Sequence, residues 1–172
     1  MKSVTMFLSA LIWVGCAITR NEINTETKPQ VLIDAEKMAA AFLKRDYKIY
    51  AEYIYAGLFE KAGGKEVFMQ RIEESIKTSE SQGARHDSVI ISEPSKAVMC
   101  NGQWQCLLKQ EIVISNAGQE PFSDVAYLIG ISTDNGKSWA FLNGGRRPIN
   151  ILKKEFPNIF DSLTLEEKYL AK

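Results

Sequence analysis

After Arg85 the apolar residues stop recurring at a helical spacing and begin to alternate, and this one switch excludes most fold classes. A side chain returns to the same side of a helix about every 3.6 residues and to the same side of a strand every second residue, so the period reports which surface is buried. Upstream of the switch, Val31, Ala35, Met38, Ala39 and Phe42 are separated by steps of four, three, one and three, with Asp34, Glu36, Lys37, Lys44 and Arg45 among and after them. That is one apolar face of an amphipathic helix. Asp46 offers a side-chain oxygen to the unpaired amides of a second helix, which carries Ile49, Tyr50, Tyr53, Ile54 and Leu58 inward and breaks at Gly63-Gly64. A third helix is expected over 65–81, with Phe68, Ile72 and Ile76 four residues apart and Gly83 ending it.

Downstream, Ser88–Glu93 and Lys96–Cys100 are short β-branched or apolar runs separated at Pro94. Trp104–Ser115 alternates strictly. Trp104, Cys106, Leu108, Gln110, Ile112 and Ile114 share one face, and Gln105, Leu107, Lys109, Glu111, Val113 and Ser115 share the other. This predicts a strand with one buried and one mostly wet side. Asn116-Ala117-Gly118 turns the chain into a strand over Phe122–Ser132, with Val125, Tyr127, Ile129 and Ile131 on one side. Asp134-Asn135-Gly136-Lys137 is a tight hairpin turn that returns Trp139 and Phe141 alongside it. A last amphipathic segment holds Ile149, Leu152, Phe156, Ile159 and Phe160, interrupted by Pro157. Helices grouped first and hairpin-linked strands grouped later define an α+β fold. The expected architecture is three N-terminal helices packed on a curved antiparallel sheet that forms a cone, followed by a short C-terminal helix. A length of 172 residues accommodates one such domain.

The first residues carry an address. Lys2 precedes an uncharged run from Ser3 to Thr19 whose centre is apolar, the pattern of a secretory signal peptide. Its 17 residues sit at the lower bound of the ~17–25 that span a bilayer, which keeps an uncleaved signal anchor as the alternative. The exit, Trp13-Val14-Gly15-Cys16, resembles the bacterial lipobox, in which a thiol takes up diacylglycerol and a small neighbour admits the peptidase; Trp13 stands where Leu is usual. The resemblance implies a removed leader over 1–15, lipid on Cys16, a flexible tether over 16–29, and a protein anchored to a membrane of the bacterial cell envelope, on the outer membrane or facing the periplasm. Assigning Cys16 to lipid leaves Cys100 and Cys106, which bracket a five-residue stretch containing Asn101-Gly102. In an oxidising compartment these are either a disulfide across a hairpin or two separate core thiols.

The order of elements across 31–160 resembles the nuclear transport factor 2-like fold. The likeness rests on Tyr53-Ile54-Tyr55-Ala56-Gly57-Leu58-Phe59 closing the second helix, Gly63-Gly64-Lys65-Glu66 opening the third, and Asp134-Asn135-Gly136-Lys137-Ser138-Trp139 in the last hairpin. It implies a domain over 30–160, a tail over 161–172, a cavity at the wide end of the cone, and room for a homodimer through the sheet face bearing Leu107, Glu111 and Val113. The fold hosts enzymes, binders and assembly modules alike. Its ketosteroid isomerase-like members place an Asp base and Tyr or Asp hydrogen-bond donors inside the cone. Gln110, Asp124 and Tyr127, with Tyr50 and Tyr53 from the helical half, are the corresponding pocket candidates for a small-molecule ligand. Asp124 and Tyr127 have opposite parity and face opposite sides of a regular strand. That favours a non-enzymatic ligand-binding or protein-interaction module over a small isomerase or dehydratase built on a buried carboxylate base. Plainer readings are that Gln110 satisfies a backbone group and that the tyrosines line the core.

Lys plus Arg and Asp plus Glu each number 21, so no basic excess exists for a phosphate backbone, which excludes general nucleic-acid binding. His86 is the single histidine; it excludes a site needing two and, beside Arg85 and Asp87, is expected in solvent. No Gly-rich phosphate loop, His-Glu-x-x-His pair or Gly-x-Ser-x-Gly elbow occurs, so no catalytic residue, metal or cofactor is assigned. Ser132-x-Asp134-x-Gly136-x-x-Trp139 matches the Asp-box hairpin of sialidase-type propellers; a single copy reads as a stable turn. Arg146-Arg147 is expected in a solvated loop, with anion binding as the alternative.

Overall fold

The computed structural model describes residues 29–160 and 163. The leader, Cys16, the tether up to residue 28 and most of the expected tail lie outside the described residues. No helix among the described residues is long and apolar enough to cross a membrane. Helix α1 (Gln30–Leu43) buries Val31, Ala35, Met38 and Ala39 of the predicted stripe and Leu32 beside them, and leaves Phe42 half-buried. Arg45 then turns the chain at a positive φ of 60°. The Asp46 carboxylate accepts from the Ile49 amide at 3.1 Å and opens α2 (Tyr47–Glu52).

The second helix is not continuous, so among the described residues four helices rather than three precede the sheet. After α2 the chain straightens at Tyr53–Tyr55 and lies beside a sheet strand. The Phe141 amide donates to the Tyr53 carbonyl at 2.7 Å, and the Tyr55 amide donates to the Phe141 carbonyl at 3.0 Å. Those two bonds, around a parallel bridge between Ile54 and Phe141, replace the helical bonds these residues would have made. The apolar spacing hides the break because Tyr50, Tyr53, Ile54 and Leu58 meet the core across it, whereas Ile49, expected inward, is exposed. Helix α3 (Ala56–Ala62) follows and ends at Gly63, whose φ of 91° is open to a glycine at no steric cost. Helix α4 (Lys65–Ser81) is the predicted third helix.

The sheet is antiparallel, with strands β1 (Ala84–Ile91), β2 (Val98–Cys100), β3 (Gln103–Asn116), β4 (Phe122–Ser132) and β5 (Ala140–Gly145). Its order is β1-β3-β4-β5, with β2 also pairing β3. Helix α5 (Ile149–Glu155) completes the α+β fold. One sheet face packs Cys106, Leu108, Leu128 and Phe141 against Val31, Leu32, Ala35 and Met38 of α1 and against Ile54. The opposite face, expected mostly wet, is buried along half its length. Leu107, Ile129, Ile131 and Leu142 lie under Leu152, Phe156, Ile159 and Leu163. Leu163, past residue 160, packs in this same cluster. Leu107, expected on an open dimer face, is therefore covered, whereas Glu111 and Val113 farther along β3 stay half-exposed.

Cys100 and Cys106 are buried thiols rather than the disulfide that their spacing allows. Asn101 and Gly102, both at positive φ, make a two-residue turn that pairs Cys100 with Gln103. Residue parity then places Cys100 on the same face as Gln103 and Gln105, and Cys106 on the other. Burial pushes the Cys106 thiol up to about 12, so it stays protonated and unreactive. Beside it, β4 crosses α1 at Gly130. A Cβ there would stand 3.1 Å from Val31 Cγ2 and 3.2 Å from both Cys106 Sγ and Trp139 Cε3. Gly130→Ala is expected to cost about 1–3 kcal/mol through this overpacking, read as a lowered urea midpoint.

Candidate functional site

A groove of about 370 Å³ lies between α3 and the segment that follows α5. One wall is built by a glycine. A Cβ on Gly57 would stand 2.6 Å from Tyr55 Cε1, so only glycine lets the Tyr55 ring lie over the first turn of α3. The Tyr55 ring meets the edge of Phe156 at 6.1 Å between centroids, and the Lys61 ammonium sits 5.1 Å from the centre of the Phe156 ring. Glu60 and Lys61 come from α3. Glu155 and Asn158 face them from the other side. Arg147 clamps Glu155 through Nη1, at 3.2 Å to one carboxylate oxygen and 3.0 Å to the other. Gln105, fully buried in β3, holds the second wall in place. Its Nε2 donates to the Asn158 carbonyl at 2.7 Å, and its Oε1 accepts from the Phe160 amide at 2.9 Å.

The sequence-derived pocket candidates do not line this groove. Gln110 is buried on the α1 side of β3, paired with Ala126 and Ile91. Asp124 is exposed near the far end of β4 and bonds Arg146 Nη2 at 3.2 Å, so it is no buried base. Tyr127 packs against the opposite face, as its parity requires. Tyr50 and Tyr53 pack on the α1-side core, and burial pushes the Tyr50 hydroxyl up to about 12. Arg146 and Arg147 are each spent on a carboxylate of the same chain, Asp124 and Glu155 respectively. The buried carboxylate among the described residues is Asp34, and its work is structural. It accepts from the Trp139 amide at 3.1 Å and from Gln30 Nε2 at 2.8 Å, and the first of these ties α1 to the residue that leads into β5. Of the groove residues, the sequence drew attention to Tyr55 and Gly57 within the 53–59 stretch and to Phe156 and Pro157 in the last amphipathic segment, none of them as a pocket residue. Glu60, Lys61, Glu155 and Asn158 carry no local signal, because the groove exists only once two distant segments meet.

The last hairpin is built as its motif requires. Asp134 Oδ1 accepts from the Lys137 and Ser138 amides at 3.1 and 3.0 Å, Ser132 Oγ accepts from the Gly136 amide at 2.9 Å, and Trp139 Nε1 closes the turn on the Gly136 carbonyl at 3.1 Å. Hydrogen bonds from Ser138, first its hydroxyl and then its amide, hold the Asp134 carboxyl down at about 2. A depressed carboxyl contributes stability that is present above its unfolded value near 3.8 and is lost as pH falls through about 2.

His86 is half-buried rather than solvated. Its ring packs edge-on against Phe42 at 5.3 Å, and Arg45 Nη2 lies 3.5 Å from Nδ1 while also pairing with Glu80. Burial first, and the Arg45 charge second, lower the His86 pKa from 6.5, against smaller opposing effects of Glu80 and Asp87. A base whose folded pKa is depressed stabilises fully above its unfolded value and loses that contribution as pH falls from about 6.5 towards the folded value. Urea midpoints are therefore expected to fall between pH 7.5 and 5.5 in the wild type and to fall less in His86→Gln.

No family model, curated protein or solved structure matches the chain.

Proposed function

We propose that this chain is an exported, lipid-anchored envelope protein whose nuclear transport factor 2-like domain binds a ligand without transforming it, through the groove between α3 and α5. The observation that carries the binding reading is the groove itself. It presents a positioned aromatic ring beside charged and amide side chains, at the low end of the ~300–1,000 Å³ of small-molecule sites. The non-enzymatic reading is supported by the surroundings of the carboxylates; in the groove itself Glu155 is paired with Arg147 and Glu60 is exposed. Asp124 is exposed and paired with Arg146, and Asp34 is consumed by the Trp139 amide and Gln30, so neither is poised as a base in a cavity. The anchoring half rests on the leader pattern of Lys2 and Ser3–Thr19 and on Val14-Gly15-Cys16 at its exit. Two acyl chains on a cysteine hold a protein at a bilayer while its folded domain stays in water.

The anchor is tested by fractionating bacterial cells that express the chain with labelled palmitate. The wild type is expected in the membrane fraction carrying label. Cys16→Ala is expected to lose the label and, if its leader is still removed, to leave the membrane. Equal labelling of both forms contradicts lipid on Cys16.

A further inference from the structure

The groove's charges indicate what it selects. Glu155 is neutralised by Arg147 at 3.0 Å, and Glu60 is followed in sequence by Lys61, so the positive and negative groups in and around the groove balance. A site for a free anion or cation leaves a surplus of the opposite sign to meet it; here there is none. What the groove offers instead is a set of hydrogen-bonding groups along its rim. The carboxylates of Glu60 and Glu155 accept, the Lys61 ammonium donates, and the Asn158 amide does both. Glu155 is held in one orientation by its guanidinium partner, and Lys61 is steadied over the Phe156 ring. Beside them stands the half-buried Tyr55 ring, which Gly57 leaves room for. A ligand that matches has no net charge, presents several hydroxyls around its edge and carries an apolar C–H face to lie on an aromatic ring.

Resting on the reading of this groove as the binding site, we infer that it takes a neutral saccharide of one or two pyranose rings, with Tyr55 as the stacking plate and Glu60, Glu155, Lys61 and Asn158 bonding its hydroxyls. The C–H face of a pyranose covers the aromatic ring while its equatorial hydroxyls reach the rim, so apolar and polar groups of the ligand are satisfied together. An open groove leaves much of the ligand wet, so affinity is weak and depends on few contacts.

The test is saturation-transfer NMR on the full-length chain in mild detergent, with cellobiose, maltose and N,N′-diacetylchitobiose as neutral probes and inorganic phosphate and ethanolamine, followed by their effect on protein amide shifts, as charged ones. The expected result is transfer to the ring C–H protons of at least one disaccharide, insensitive to 50–300 mM salt and weakened about tenfold or more in Tyr55→Leu. Because Tyr55 also packs on Phe156, Glu155→Gln serves as a second variant at the exposed rim, expected to weaken the same disaccharide severalfold with an unchanged thermal midpoint. Binding of phosphate or ethanolamine in the groove, with no disaccharide bound, overturns the saccharide class and leaves the groove as a site. No probe binding, or disaccharide binding that both variants leave intact, overturns the groove reading as well.

Discussion

Phe141→Ala is expected to remove about 3–5 kcal/mol of folding free energy, a large share of the ~5–15 kcal/mol that holds a domain of this kind together. Phe141 is fully buried, and its ring packs with Ile54, Leu108, Met38 and Trp139, so truncation empties the centre of the α1-side core. Its backbone also makes both bonds that strap Tyr53–Tyr55 to β5. The cavity and the strap therefore weaken at one place. At about 2–4 °C per kcal/mol for a domain of this length, the thermal midpoint should fall by roughly 6–20 °C. Phe141→Leu, which keeps most of the volume, should cost less than half as much. A fall of only a few degrees in the alanine variant would mean that the core does not centre on this ring.

Gln105→Ala is expected to cost about 2–3 kcal/mol and to weaken ligand binding at the groove together with stability. The side chain bonds the Asn158 carbonyl and the Phe160 amide, and truncation leaves both without their partner beside a buried strand. Residues 156–158 form one wall of the groove, so loosening them alters the site without touching α3. Hydrogen exchange should show the Phe160 amide, protected in the wild type, exchanging much faster in the variant while amides of α1 keep their protection. Unchanged protection at Phe160 would contradict the role assigned to Gln105.

These two residues also mark what the sequence could reveal. Phe141 and the α1 stripe were legible because a long regular element imposes one period on everything it buries. The α+β order, the α1 and α4 helices, the main strands and the Asp134 turn follow from that same local information. The interruption at Tyr53–Tyr55 was not legible. Its cause is a pair of hydrogen bonds to Phe141, nearly ninety residues away, and side-chain spacing carries no trace of them. Gln105 shows the same limit from the other side. On its strand it alternates with polar and apolar neighbours and reads as a wet position, yet α5 and the following turn cover it completely. The groove was hidden for this reason too. Parity did separate Asp124 from Tyr127, which a single strand can encode, but Glu60, Lys61, Glu155 and Asn158 converge only through tertiary packing.

The account centres on a lipid-anchored protein that holds a ligand in a groove, and native mass spectrometry of the wild-type protein, released from bacterial membranes in mild detergent, tests both parts in one spectrum. The predicted result is a polypeptide beginning at a diacylglyceryl-modified Cys16, with a fraction carrying the added mass of one small neutral ligand that is absent in Tyr55→Leu. An unmodified polypeptide that retains residues 1–15 and carries no added mass would contradict the account.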